Sequence, residues 1–432
     1  MAVSVRSLEK AFASLVGRER VVDDPVKLGG ATIDGCVPRF IVRPAAVDEL
    51  SGIVALACEE RLAVIPRGSG SALELGAPPS RLDVVIDLRD LDRVLEYNPD
   101  DLTASVEAGV TLGALAKLLS DRRQFAALDP PGGTSRSLGG ITATNAVGPL
   151  ACRYGAMRDR LLGVRFVQAD GVVTWGGAKV VKSVTGYDIP KLMVGALGTL
   201  GVLAELTLRL HPMPEHEASW LASCDTLDAA GTLVAAILES TLQPNRVEIV
   251  SRGALEALRL GAAVAAVAVS IASVEPAVAA QEESLRSLVR ANGGTLNPAS
   301  PGWWDRYGDV VMSSRVTIRI GTLPSEVART VGAVERLLGP AVAVVGSAAT
   351  GTLHALLSEC QVQAMASAVG ELRAMLAPFG GHATITRGPR ALREAIDPWG
   401  PTDPGALALM RGLKDEFDPH RVLNPGRFVG GL

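Results

Sequence analysis

What this sequence lacks narrows it first. Across 432 residues, aromatic side chains make up only 4%, too few for the stacking platforms that hold single-stranded nucleic acids. Positive charge is not in surplus: 42 Lys and Arg stand against 46 Asp and Glu, a net charge of −4. Nucleic-acid binders normally carry a basic excess, so no nucleic-acid partner is expected. Cysteine is sparse, and Cys36, Cys58, Cys152, Cys224 and Cys360 are scattered without a CxxC pair. Such a set suits free thiols in a reducing compartment, not a disulfide framework, a zinc site or an iron–sulfur cluster. Long apolar runs are missing too. The amino terminus has no continuous hydrophobic region of the secretory kind. The uncharged, Ala- and Val-rich stretch Leu260–Val274 falls short of the ~20 residues of a membrane span and suits a buried strand. The expectation is a cytoplasmic protein, with peripheral membrane association only through partners.

What is plentiful is glycine. The chain holds 46, roughly 11% against a usual share of about 7%. They lack the collagen period, and a 48% hydrophobic content excludes disorder. Much of the surplus lies between Gly68 and Gly201, in turns after strand-like runs. After His211-Pro-Met-Pro214 the texture changes to glycine-poor alternating units. This predicts a first domain over residues 1–214, split into two subdomains near 100. A second domain spans 215–400, and a tail covers 401–432.

Local patterns support that division. Val47–Glu60 places Val47, Leu50, Ile53, Val54 and Ala57 on one helical face, between short apolar runs at Phe40–Val42 and Leu62–Pro66. Strand-like runs follow at Val84–Leu88, Val94–Tyr97 and Thr103–Ala108. Thr111 is the expected cap of a helix reaching Ser120. Beyond Pro214, the expected strands include Arg246–Val250, Ala262–Ala272, Val316–Ile320 and Val342–Val345. The expected helices are Ala277–Ala291, Pro324–Leu338 and Gln361–Leu376. Trp303-Trp304 reads as an aromatic pair packed at a loop, and His420 as a residue that packs the tail.

Two glycine motifs stand out. Pro66-Arg67-Gly68-Ser69-Gly70-Ser71 follows an apolar strand. Without a Cβ at Gly68 and Gly70, successive N–H groups can converge on phosphate oxygens; an ordinary turn explains the motif equally well. No Gly-Lys-Ser/Thr follows, and no third glycine opens a helix, so neither a P-loop nor a Rossmann fingerprint is present. The second motif, Ser137 to Gly148, carries Gly139, Gly140, Ala143 and Asn145. Its backbone can lie against a planar ligand, or it can simply start a helix beside a tight turn.

Taken in order, PRGSGS, SLGGITATNAVG, RYGAMRD, VKSVTGYDIPKL, GALGTLGV and FDPHRVLNPGRF resemble the PCMH-type FAD-binding oxidoreductases of the vanillyl-alcohol-oxidase-like superfamily. The likeness covers Arg43–Pro214 and Phe417–Phe428. Gly380-Gly-His-Ala-Thr384 and the tail are similar to E-type subunits of bacterial glycolate oxidase (glycolate dehydrogenase). The resemblance implies an α+β fold: two α/β subdomains forming the FAD domain, and an α+β cap with an antiparallel sheet. It implies an FAD-dependent oxidoreductase acting on a small 2-hydroxy acid, with companion flavoprotein and iron–sulfur subunits as partners. A stand-alone dehydrogenase of another hydroxy acid or alcohol, and a flavin-bearing subunit that only relays electrons or supports a complex, remain open alternatives.

Carried onto this chain, the resemblance gives the pyrophosphate to Pro66–Ser71. Ser137, Gly139, Gly140, Ala143, Asn145 and Gly148, with Pro131, fall to the rest of the cofactor. Gly201 and Val202 would meet it through backbone groups, and Asn424 and Arg427 would return the tail to it. Many relatives attach FAD through a histidine at the glycine loop; here that loop holds serines, so non-covalent FAD is expected. Metal-assisted relatives show a histidine pair after a Gly-Asp-Gly turn. The histidines here (His211, His216, His354, His382 and His420) form no such pair, and no metal is expected. His382, in a strand-like run, is a candidate base. Lys182 is a candidate cation for the reduced flavin, with a surface lysine in a turn as the alternative.

Overall fold

The computed structural model describes residues 5–179, 186–261 and 263–432. Near the amino terminus, β1 (Val21–Val22), β2 (Phe40–Val42), β3 (Val64–Arg67) and β4 (Val84–Asp87) form a sheet in the order β1-β2-β4-β3. β2 and β3 run parallel to β4, so a crossover must join β2 to β3. The helix Val47–Glu59 supplies it, burying Leu50, Ile53, Val54 and Ala57 on the face that the spacing picks out.

A second group follows: β5 (Val94–Asn98), β6 (Thr103–Glu107), β7 (Gln124–Phe125), β8 (Leu161–Val167), β9 (Val173–Gly177), β10 (Val202–Arg209) and β11 (His211–Pro212). Five of these make an antiparallel sheet in the order β5-β6-β10-β8-β9, while β7 pairs with β11. Thr111 caps the helix Leu112–Ser120, accepting from the Ala114 N–H at 3.1 Å.

The glycine-poor region builds one eight-stranded antiparallel sheet. Its strands are β12 (His216–Cys224), β13 (Pro244–Ser251), β14 (Ala265–Ser273), β15 (Thr295–Pro298), β16 (Val316–Gly321), β17 (Ala343–Ser347), β18 (Thr352–Leu357) and β19 (His382–Arg387). They lie in the order β15-β12-β14-β13-β17-β18-β16-β19. Side chains alternate between faces. On β14, Val267, Val269 and Ile271 join a core with helices Leu227–Glu239, Glu275–Ala291, Val327–Leu338 and Val362–Leu376. The small Ala266 and Ala268 turn the other way, beneath Trp303 and Tyr307. Each fully buried Val or Ile contributes about 1.5–3 kcal/mol, so this helix-covered face anchors the cap.

Three expectations are corrected. Trp303 and Trp304 open a helix, Trp303–Ser313, rather than lying in a loop; a glycine in the left-handed region, Gly302, precedes it. Pro324–Glu326 forms a separate 3₁₀ turn before the helix Val327–Leu338. His420 is exposed and does not pack the tail. The tail is held instead by Lys414, at the end of the helix Pro404–Phe417. Its buried Nζ donates to Asp418 Oδ2 at 2.6 Å, Thr199 O at 2.7 Å and Leu423 O at 2.9 Å. Val422–Asn424 then lies along β3: Val64 N donates to Val422 O, and Asn424 N to Val64 O, both at 2.8 Å. The chain's end thereby enters the core of the first subdomain.

Candidate active site

A cavity of about 750 Å³ opens between the glycine-rich loops and the face of the cap sheet opposite the four helices. Register explains its cap side. Arg319 on β16 stands opposite His354 on β18 and Thr384 on β19, and Gly321 stands opposite His382. Residues two apart share a face, so Thr317, Arg319 and Gly321 turn to the cavity together, beside Thr352 and His354. On the opposite wall come Gly70, Ser71, Leu73, Pro131, Arg136 and Asn145.

The electrostatics favour an anion. Among the described residues no carboxylate pairs with Arg319, and burial lowers its pKa. Arg136, buried, donates to Pro131 O at 3.0 Å. Burial, and then Arg387 across the cavity, pull it down to about 10. Acidic groups in the lining are Asp34, engaged by Arg393, and Glu74, whose carboxylate lies 3.8 Å from Arg387. Burial, then Arg319, holds His354 at about 4, so its ring is neutral near pH 7 and can accept a proton. His382 is also held below the ordinary histidine value, by partial desolvation and then Arg319, although it sits exposed at the rim.

The sequence-derived candidates separate into two groups. Gly70, Ser71, Pro131, Asn145 and His382 line the cavity. Ser69 and Ser137 join the two glycine motifs: Ser69 N donates to Ser137 Oγ, and Ser137 N to Ser69 Oγ, both at 3.4 Å. The remaining described candidates make contacts within the protein. The Arg67 side chain is paired with Asp87 at 2.9 Å. A Cβ on Gly68 would run into Ser137 Oγ, one on Gly139 into Ala108, one on Gly148 into the Asp129 carbonyl, and one on Gly201 into Phe166. At these four glycines the missing Cβ permits close chain-on-chain approach. Gly140 is drawn to Ser137 Oγ, and Ala143 O accepts from Leu197 N at 2.9 Å. Pro66 packs beside Gly198, Val202 is wholly buried, and Arg427 donates to Leu75 O at 2.8 Å, bracing the cavity wall. Lys182 lies outside the described residues.

His354, Arg319, Arg387 and Arg136 were not picked out as site residues. The signal that was there is a charged or ionisable residue at an inward position of an apolar strand, as in Leu353-His354-Ala355 and Ile318-Arg319-Ile320.

The cavity's size lies within the ~300–1,000 Å³ of cofactor and ligand sites. Near it, Asn145 Oδ1 is buried without a hydrogen-bond partner among the described residues, as is Asn424 Oδ1 where the tail meets β3. Gly70, at φ +76, leaves the loop open, with nothing closer to a Cβ there than 3.7 Å. A large polar cofactor fits this wall. Among the described residues no group of three His, Cys, Asp or Glu could hold a metal ion, and no helix is long and apolar enough to cross a membrane.

Comparison with known proteins agrees with the geometry. Residues 38–177 match the FAD binding domain family, and residues 259–428 match the C-terminal domain of FAD linked oxidases. A probable mitochondrial D-lactate dehydrogenase of Danio rerio is 29% identical over 99% of this chain and 92% of its own. Glycolate oxidase subunit GlcD of Bacillus subtilis is 26% identical over 90% of this chain and 89% of its own. A D-2-hydroxyglutarate dehydrogenase of Xanthomonas citri is 28% identical, with the same two coverages. In fold, the chain is similar to p-cresol methylhydroxylase, with a TM-score of 0.77 at 16% identity over 98% of this chain and 96% of that one. It is also similar to alkyldihydroxyacetonephosphate synthase, with a TM-score of 0.73 at 18% identity over 99% and 89%. The two matched domains lie on either side of the cavity, and with these relatives they make this chain an FAD-linked oxidoreductase, an FAD-dependent enzyme acting on CH–OH groups.

Proposed function

We propose that this chain oxidises a small 2-hydroxy acid, as the FAD-bearing E-type subunit of a glycolate oxidase-like complex. Arg319 carries the reading: a guanidinium without a carboxylate partner among the described residues, beside His354, in the cavity that the glycine motifs face. Arg319 would hold the substrate carboxylate, with Arg136 and Arg387 adding positive potential from either wall. His354, kept neutral, would take the hydroxyl proton. Bound FAD supplies the acceptor for the hydride of the substrate's C–H bond. Gly70, Ser71, Pro131 and Asn145 would hold the cofactor non-covalently along the opposite wall.

A second reading, a dehydrogenase that works alone, is favoured by the cavity's own base and cations and by the likeness to D-lactate dehydrogenase along nearly the whole chain. Anaerobic addition of glycolate, D-lactate or D-2-hydroxyglutarate to the FAD-loaded chain tests both. Bleaching of the chain alone supports the second reading. Bleaching only with flavoprotein and iron–sulfur partners supports the first. A flavin that no 2-hydroxy acid bleaches under either condition overturns the function.

A further inference from the structure

Beside the main cavity lies an annex of about 20 Å³, room for one water. His354 and Thr352 belong to the walls of both spaces. Two buried polar atoms of residues lining the annex have no hydrogen-bond partner among the described residues: His354 Nδ1 and Glu248 Oε1. The sheet brings them to one space. Glu248 on β13 sits opposite Ser347 on β17, and Ser347 sits opposite Thr352 on β18, two residues before His354. All four therefore share a face. The other carboxyl oxygen of Glu248 accepts the Tyr307 hydroxyl. Each unpartnered buried polar atom costs ~1–3 kcal/mol, and one bridging water would satisfy both.

We propose that Glu248, acting through a single water in the annex, sets which ring nitrogen of His354 carries the proton, and so decides whether Nε2 is free to act as the base. With Glu248 protonated, the water receives its O–H and donates to Nδ1, which leaves the proton on Nε2. With Glu248 ionised, the water donates to the carboxylate and accepts from Nδ1–H, and Nε2 presents a lone pair to the cavity. Resting on the functional reading above, the step then balances. The substrate O–H bond breaks, its proton goes to Nε2, and the Nδ1 proton passes through the water to Glu248. Bound FAD would take the electron pair of the C–H bond as hydride, which accounts for both electrons. Glu248 is thus a positioning residue, and His354 is the group that meets substrate.

The groups that face this pair set the working range. Around Glu248 stand Tyr307 from the helix above, Asp129 from the FAD side, Arg246 with Glu217 from the sheet, and Cys152 from the helix Ala151–Tyr154. Around His354 stand Arg319 and, one strand further, His382. Burial is the largest influence on Glu248 and raises it to about 8; the Tyr307 hydrogen bond opposes that rise.

The test uses the FAD-loaded protein with ¹⁵N-labelled histidine. Ring-nitrogen shifts of His354 are followed from neutral to alkaline pH, beside the anaerobic rate of flavin bleaching. The proposal expects the two tautomers to exchange with a midpoint near 8, and the bleaching rate to rise over the same interval. Glu248→Gln should leave the tautomer ratio independent of pH and bleach about tenfold to a hundredfold more slowly at alkaline pH. Tyr307→Phe, which removes the bond that favours the carboxylate, should move the midpoint upward. A tautomer ratio that does not titrate in the wild type, or a midpoint unmoved in both variants, overturns the link. If the ratio titrates as expected but no 2-hydroxy acid bleaches the flavin, the functional reading falls and the relay's catalytic use falls with it.

Discussion

Arg319 and His354 face each other across neighbouring strands, and the charge of one governs the protonation of the other. Burial is the larger reason that His354 stays near 4, and Arg319 adds to it. The sign follows directly: removing the cation lets the ring keep its proton to higher pH. Arg319→Met should therefore raise the pH at which the His354 ring takes up its second proton, read from its ¹⁵N shifts. It should also weaken substrate binding about tenfold or more, as loss of a buried charge-assisted contact does. Stopped-flow bleaching at varied substrate concentration measures the second effect, and a ring titration and substrate affinity both unmoved would remove Arg319 from the site. The sequence marks these two residues only faintly. Each is an ionisable side chain inside an apolar strand, but which face of the strand meets the cavity depends on register with distant strands, from β13 to β19.

At the scale of elements, the glycine motifs work by letting chain segments touch. The loop after β3 and the start of the helix Leu138–Thr144 meet through Ser69 and Ser137, and Gly68 is where the loop backbone meets the Ser137 side chain. Gly68→Ala places a Cβ against Ser137 Oγ and Cβ, which forces the two apart. FAD affinity should fall about tenfold or more, while overpacking costs the fold about 1–3 kcal/mol. Fluorescence titration of the apoprotein with FAD reads the first and urea unfolding the second; unchanged affinity would separate this junction from the cofactor. Here the sequence shows where the glycines cluster but not why each is needed, because a Cβ clash involves partners such as Asp129 or Phe166 on other segments. Helices with a periodic face, such as Val47–Glu59, are legible directly, since periodicity is a local property. The helix Trp303–Ser313 is not: its aromatic face packs on the small alanines of β14, far away in the chain.

Over the whole molecule, two ion pairs tie the cap to the FAD side. Arg246 of β13 meets Asp129 at 3.0 Å. Arg393, in the helix Arg390–Ala395, donates to Asp34 Oδ2 at 2.9 Å and to Gly76 O at 3.1 Å. The second pair is the deeper one, with side chains 1% and 7% exposed. Breaking a buried pair leaves an uncompensated charge and costs about 3–5 kcal/mol. Asp34→Asn should lower the urea midpoint and loosen the cap, seen as earlier exposure of flavin fluorescence than loss of helical circular dichroism. Coincident, unshifted transitions would show that this tie does not hold the cap.

In the proposed function, a 2-hydroxy acid reduces the flavin in the cavity between the glycine-rich loops and the cap sheet, with His354 as the base. The most direct measurement mixes the FAD-loaded protein with its bleaching acid without oxygen, wild type beside His354→Gln. Where the wild type needs partner subunits, these are present in both samples. The wild type should bleach, and His354→Gln, still yellow and folded, should bleach on the order of a hundredfold more slowly. Bleaching of His354→Gln at the wild-type rate would contradict the account.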